Sequence, residues 1–276
     1  MAVTGHEVLA AVLRISCGTV QVLAWQRAKE PARGCWALPG GRLGDDEDVE
    51  RSVLRQLAEK VDVREVAHVE QLGVFSAPQR VPRTRLIATA FLGLVPSDAD
   101  PAVPADTEWR TVAPADAGQD ATALEGAALE GAALEGAALD GAALDGGGQA
   151  PPARVRAPAM DHPAFDHGTI VAAARDRLRA KLSYTNLGFA VAPREFTISA
   201  LRDLYVAALG HPVSATNLQR VLTRRGLLEP TGALAPPGPA GGRPAAVFRF
   251  TDRSLRVTDA FAVLKPPGDP ARSAVP

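Results

Sequence analysis

The sequence predicts an α/β sandwich with a mixed sheet, followed by a winged helix-turn-helix. Three observations carry that prediction. Apolar, β-rich runs flank one strongly charged amphipathic helix over the first 112 residues, a low-complexity stretch interrupts the chain, and the segment beyond it alternates helical runs with Gly and ends in a hairpin pattern. At 276 residues and 46% apolar content, the chain is long enough for two packed cores. The expected organisation is an α/β domain over 1–112, an acidic insert over 113–158, a helical domain over 159–255 and a tail over 256–276.

In chain order, residues 7–15 and 20–25 read as two strands around the turn Cys17-Gly18-Thr19. A helix is expected over about 46–61, because Val49, Val53, Leu57 and Val61 recur every four residues. Asp45 and Asp46 would lie near its N-terminus, where negative charge favours the helix dipole. Strands are expected at 69–75 and 85–95, flanking a loop over 76–83, and at 108–112.

The insert contains five near-copies of a pentad, from TALEG at 122–126 to AALDG at 142–146. A helix would turn each successive Leu by about 140°, so no single face collects them. The Gly in each pentad would cost such a helix roughly 1 kcal/mol. A pentapeptide β-helix is the competing fold, but five copies are too few to bury a core by stacking. A flexible acidic linker is the expected state.

Beyond the insert, residues 170–182 form a basic amphipathic pattern, with Asp166 or His167 near its start. Thr197 or Ser199 can cap a second helix over 200–209, stopped by Gly210, and Ser214 can cap a third through Arg225, ended by Gly226. Residues 227–229 and 246–250 then pair as a hairpin around 236–244. The third helix presents Ser214, Asn217, Gln219, Arg220, Thr223, Arg224 and Arg225, and Arg243 sits on the glycine-freed hairpin loop. Arg, Asn and Gln are the side chains that pair bidentately with guanine or adenine in the major groove. The alternative is a partner-docking domain with solvated arginines.

Net charge is −1, but it is unevenly distributed. Residues 1–112 carry 13 Lys and Arg against 15 Asp and Glu, 113–158 carry 2 against 7, and 159–276 carry 15 against 9. A polyanion partner is therefore expected for the C-terminal third alone. The two cysteines, Cys17 and Cys35, suggest no disulfide framework. No apolar run approaches a membrane span and no secretory pattern opens the chain, so no membrane partner and a cytoplasmic location are expected.

The most specific signal is Trp36-Ala37-Leu38-Pro39-Gly40-Gly41 and the helix behind it. From Gly41, a Glu falls six residues on (Glu47), an Arg eight further (Arg55) and a Glu four beyond that (Glu59). This frame resembles the Nudix box, G-x5-E-x7-R-E-U-x-E-E-x-G-U with U aliphatic. Gln56 and Lys60 stand where the pattern has Glu, and Asp62 where it has Gly. Nudix enzymes hydrolyse nucleoside diphosphate derivatives with Mg²⁺ or Mn²⁺, hard cations that need anionic oxygen ligands. Together Gln56 and Lys60 make the site three formal charges more positive than the pattern, a change that repels a cation and favours an anion. Ligand binding without efficient turnover is expected, with Glu59 the best surviving metal ligand and Glu47–Arg55 a structural ion pair. Arg27, Gly40, Gly41, Arg80, Arg83 and Arg85 are the expected diphosphate or ribose contacts.

Both halves together are similar to the Nudix-related transcriptional regulators of NrtR type. The resemblance includes Glu70-Gln71-Leu72-Gly73-Val74-Phe75, Arg80-Val81-Pro82-Arg83, Ala164-Phe165-Asp166-His167, Phe196-Thr197 and Phe248-Arg249-Phe250. It implies a homodimer on palindromic operator DNA, an ADP-ribose-like nucleotide as effector, and no cofactor for DNA binding. Mg²⁺ is expected only if hydrolase activity remains. Two other functions fit the sequence: an active Mg²⁺-dependent Nudix pyrophosphohydrolase, and a nucleotide-sensing protein-interaction module. The pairs Asp161-His162 and Asp166-His167 suggest helix capping rather than a metal site.

Overall fold

Residues 4–113, 157–236 and 244–259 are described by a computed structural model of the chain. Strands β1 (Gly5–Ser16) and β2 (Thr19–Gln26) form a hairpin whose tight turn places Cys17 and Gly18 at φ 52° and 71°. Two consecutive positive φ values match the twist of the flanking strands. Strands β3 (Trp36–Ala37), β4 (Gly40–Arg42), β5 (His68–Phe75), β6 (Leu86–Leu94) and β7 (Thr107–Thr111) complete a seven-stranded sheet. Its main path is β3-β2-β1-β6-β5, with β4 on β1 and β7 on β2. The β1–β6 pairing is parallel and the others are antiparallel, so the sheet is mixed.

Helix α1 (Val49–Val61) covers one face of the sheet. Val53, Leu57 and Val61 pack there with Val8, Ala10, Val12, Leu23 and Phe91. The helix starts later than the sequence suggests, because Asp48 is the N-cap and accepts a hydrogen bond from the Arg51 amide. Asp45 and Asp46 therefore precede the first turn. At the other end Asp62 adopts φ 51°, a left-handed cap that glycine fills most easily.

The opposite face is where sequence and structure differ most. Val8 to Leu13 are all buried, so β1 needs cover on both sides. That cover is α2 (His167–Tyr184), the first helix of the C-terminal half. Its Ile170, Val171, Ala174, Leu178 and Leu182 share one apolar cluster with Leu9, Ala11, Leu13 and Ile15. The same cluster continues through Phe189 and Leu201 to Leu218, Leu222 and Phe250. The core thus crosses the boundary expected at 158/159.

The chain also re-enters the sheet region in a fixed register. The Thr111 amide donates to the Pro158 carbonyl at 2.7 Å, its hydroxyl donates to the Ala157 carbonyl at 2.7 Å, and the Met160 amide returns a bond to Thr111. Trp36 and Ala164 are similarly linked, through the Ala164 amide to the Trp36 carbonyl at 2.8 Å. The pentads lie outside the described residues.

The C-terminal elements are a short 3-10 helix (Leu187–Ala190), β8 (Phe196–Thr197), α3 (Ile198–Leu209), α4 (Ala215–Arg224), β9 (Leu228–Ala235) and β10 (Ala245–Phe250). Thr197 caps α3 and Ser214 caps α4, while Gly210 at φ 76° ends α3. The three strands pair in the order β8-β10-β9, a helix-turn-helix with a wing. Residues 254–259 run back along α2 and cross the boundary expected at 255/256. Fully buried Asn186 fixes them: its side-chain amide donates to the Ser254 carbonyl at 2.8 Å and its oxygen accepts from the Arg256 amide at 2.7 Å. No helix among the described residues is long and apolar enough to cross a membrane.

Candidate functional site

Two glycines set the geometry of the box. A Cβ on Gly40 would lie 2.1 Å from the Val8 carbonyl oxygen, so β4 reaches β1 only without a side chain there. A Cβ on Gly41 would meet both amide atoms of Gln56 at 2.8 Å and the Lys60 ammonium at 2.9 Å. Strand β4 thus lies directly on the side of α1 that carries the two departures from the box.

Arg55 organises the polar face of α1. It donates two hydrogen bonds to Glu47, at 2.5 and 2.9 Å, and a third to Glu59 at 3.0 Å. The Arg55 hydrogen bond, supported by the Gly44 amide at 2.8 Å, holds the Glu47 carboxyl at about 2. Glu47 is only 10% exposed, and both of its oxygens are engaged. Lys60 donates to the Gly40 carbonyl, and burial lowers its pKa, with the nearby Arg55 adding to the effect. Buried Gln56 reaches the Arg42 carbonyl at 3.5 Å, while its side-chain oxygen has no hydrogen-bond partner.

Beside this box, across β1, lies an open cleft of about 690 Å³ whose walls include Glu7, Arg27, Pro31, Arg83, Leu86 and Phe165. Arg27 is braced by the Pro31 carbonyl at 3.0 Å, and its guanidinium stands 5.0 Å from the Phe165 ring centre. Arg83 is exposed, with φ 60°. Of the four arginines singled out in the sequence, these two line the cleft.

The other two are committed elsewhere. The Arg80 side chain is 1% exposed and donates to Glu7 and, at 2.7 and 2.9 Å, to both oxygens of Asp166. It is a structural tie between β1 and the start of α2, not a free phosphate contact. Arg85 donates to the Ser76 and Ala77 carbonyls at 2.8 and 3.2 Å and so pins the 76–83 loop.

The expectation that Asp166 or His167 caps a helix is also corrected. Asp166 occupies the N-cap position of α2 without a capping hydrogen bond, because its carboxylate faces Arg80. His167 is buried and accepts the Leu38 amide hydrogen on Nδ1 at 3.0 Å; burial pushes its pKa down to about 4, so it is neutral. Among the described residues no group of three His, Cys, Asp or Glu is placed to hold a metal ion.

On α4, Asn217, Gln219, Arg220, Thr223 and Arg224 are exposed on one side and Leu218 and Leu222 are buried on the other. Arg220 donates to the Asn217 side-chain oxygen at 2.7 Å, which pre-sets both for a planar base edge. The Ser214 hydroxyl accepts the Asn217 amide and acts as the cap. Arg225 departs from this face: it pairs with Asp259 at 2.8 Å and donates to the Ser183 carbonyl at 3.3 Å. Arg243 lies outside the described residues.

Residues 6–129 match the NUDIX domain model, and residues 188–250 match the NrtR DNA-binding winged helix domain. The chain belongs to the Nudix-related regulators of NrtR type. It is 26% identical over 245 residues to the ADPR responsive transcriptional repressor NtrR of Acinetobacter baylyi, spanning 87% of this chain and 79% of that one. The crystal structure of Shewanella oneidensis NrtR superposes with a TM-score of 0.64 at 25% identity, covering 89% of this chain and 94% of that one. A shorter match, 37% over 73 residues, is to an ADP-ribose pyrophosphatase of Methanocaldococcus jannaschii, and it spans 26% of this chain and 42% of the relative.

The Nudix fold implies a divalent cation at the box, and the residues present do not fit one. Glu47 and Glu59 are both bound to Arg55, Gln56 supplies a neutral oxygen, and Lys60 brings an ammonium within reach of Gly40. Hard divalent cations need several anionic oxygens free to turn toward them.

Proposed function

We propose that this NrtR-type regulator is an ADP-ribose-responsive DNA-binding repressor whose Nudix fold holds the nucleotide without efficient hydrolysis. The observation that carries the reading is Lys60, an ammonium on the Gly40 carbonyl where the box pattern has a metal-binding carboxylate. Arg27 and Arg83 beside it suit a diphosphate, and the exposed face of α4 suits a major groove. One such helix reads a half-site, so a homodimer on a palindromic operator is part of the proposal. DNA binding then needs no cofactor, and the cytoplasm is where such a partner is met.

The test is a gel-shift series against the DNA upstream of its own gene, with and without ADP-ribose. A sequence-selective complex that ADP-ribose dissolves is expected. The absence of any selective complex at moderate salt, where non-specific binding fades, would defeat the reading. The match to a pyrophosphatase favours a second reading, residual hydrolysis with Mg²⁺. Wild-type turnover of ADP-ribose at rates typical of enzymes would establish it, whereas turnover appearing only in Gln56→Glu/Lys60→Glu protein supports the binding reading.

A further inference from the structure

We propose that Phe165 is the platform on which the aromatic base of the nucleotide stacks, and that Arg27 is the planar cation already occupying that place. The inference rests on the nucleotide-binding reading above and names the part of the cleft that recognises the base.

Phe165 adopts φ 53°, a left-handed conformation that bulky residues avoid. Such strain persists only where the neighbours over-determine the backbone. Here they do. The Ala164 amide is bonded to Trp36, Asp166 is clamped to Arg80, and His167 accepts from Leu38. Ala164 and His167, on either side, are buried, but Phe165 is turned out to line the cleft and is only half-buried. A large apolar ring directed away from two adjacent buried positions, at a conformational cost, is not accounted for by core packing.

Its surroundings match a base. One edge meets the His167 ring at 5.8 Å with the planes 71° apart, which fixes the ring's tilt. The Arg27 guanidinium stands over the ring at 5.0 Å and has Trp25 at 5.9 Å as a second aromatic neighbour. A flat delocalised cation over an aromatic ring marks a slot of the thickness a nucleobase takes. Arg27 can then lie against the base or turn to the phosphates. Arg83, with no hydrogen bond or ion pair to the described residues, completes the anion end of the same cleft. An aromatic end and a cationic end in one cavity of about 690 Å³ fit a nucleoside diphosphate derivative better than a free sugar phosphate.

The test is calorimetric titration of the full chain and of Phe165→Gly, Phe165→Leu and Phe165→Trp with ADP-ribose and with ribose 5-phosphate. Glycine suits the left-handed backbone, so Phe165→Gly should fold with an undiminished melting temperature. The ratio of the two affinities is the readout, because a merely structural role would weaken both ligands alike. In Phe165→Gly and Phe165→Leu that ratio should fall at least fivefold, in line with the contribution of base stacking on an aromatic side chain, and Phe165→Trp should restore it to within about twofold of wild type. An unchanged ratio in both Gly and Leu variants overturns the proposal while leaving the nucleotide reading intact. Wild-type protein that binds neither ligand overturns both.

Discussion

Asp166→Asn removes one charge from a buried tie while keeping the side chain's shape. The Arg80 guanidinium, 1% exposed, is held on one side by Glu7 and on the other by both oxygens of Asp166. Removing one partner of a buried ion pair costs roughly 3–5 kcal/mol, because the remaining charge is left uncompensated. Two features reduce that figure here. Glu7 stays in place, and Asp166 is 21% exposed, so water reaches part of the site. A loss of about 2–3 kcal/mol is expected. With a urea slope of about 2 kcal/mol/M, the unfolding midpoint should fall by about 1 M. The control is Asp176→Asn, whose carboxylate pairs with Arg175 but is 60% exposed, and whose loss should cost less than about 1 kcal/mol. Equal midpoint shifts in the two variants would refute the argument that Arg80 is an internal tie. Because the tie anchors the first turn of α2, Asp166→Asn should also shrink the effect of ADP-ribose on operator affinity.

Three further outcomes are expected. Burial alone would raise the Glu70 pKa, but His68, Lys181 and Arg177 outweigh it and hold the carboxyl at about 2. A folded pKa below the unfolded value of about 4.3 gives stability that is present above that value and lost as pH falls toward 2; melting curves of Glu70→Gln should therefore lose less stability over this window than wild type. Gly40→Ala, whose Cβ would press on backbone, should destabilise by more than the roughly 1–3 kcal/mol of ordinary overpacking, while Gly41→Ala, which meets only flexible side-chain ends, should stay within it on calorimetry. Arg220→Ala should cost roughly 1–3 kcal/mol of operator affinity and relax selectivity at one base pair in a gel-shift panel. Arg225→Ala, which removes the ties to Asp259 and Ser183, should lower the melting temperature and leave base preference intact.

What the sequence made legible follows from the range of the forces involved. The β1–β2 hairpin and the ends of α3 and α4 were readable because Gly18, Thr197, Gly210 and Ser214 act on backbone within a few residues. The spacing of Glu47 and Arg55 likewise announced a contact made within about two turns of helix. Arg80 was not readable: its partners are 73 and 86 residues away, and in linear order it is one of four similar arginines. Strands β3 and β4, of two and three residues, are too short to show a period. Phe165 stood in a family motif, yet nothing local says whether an aromatic before a helix turns inward or into a cleft.

The role of α2 escaped for a different reason, and it bears on how the two ends of the protein communicate. Periodicity showed an amphipathic helix but could not say which half of the chain its apolar face covers. A long insert then suggested a loose tether, through which little strain would pass. The geometry removes that objection without reference to the insert. Residues 157–164 are bonded to β7 and to Trp36, Asp166 and His167 are tied to Arg80 and Leu38, and Arg177 and Lys181 close on Glu70 further along the helix. One apolar cluster then runs from β1 through α2 to the inner face of α4. A displacement at the cleft therefore meets packed side chains all the way to the recognition helix, and packed cores shift between discrete arrangements rather than deforming gradually. Coupling through such a path is reciprocal, so operator DNA must weaken nucleotide binding by the factor with which the nucleotide weakens DNA binding.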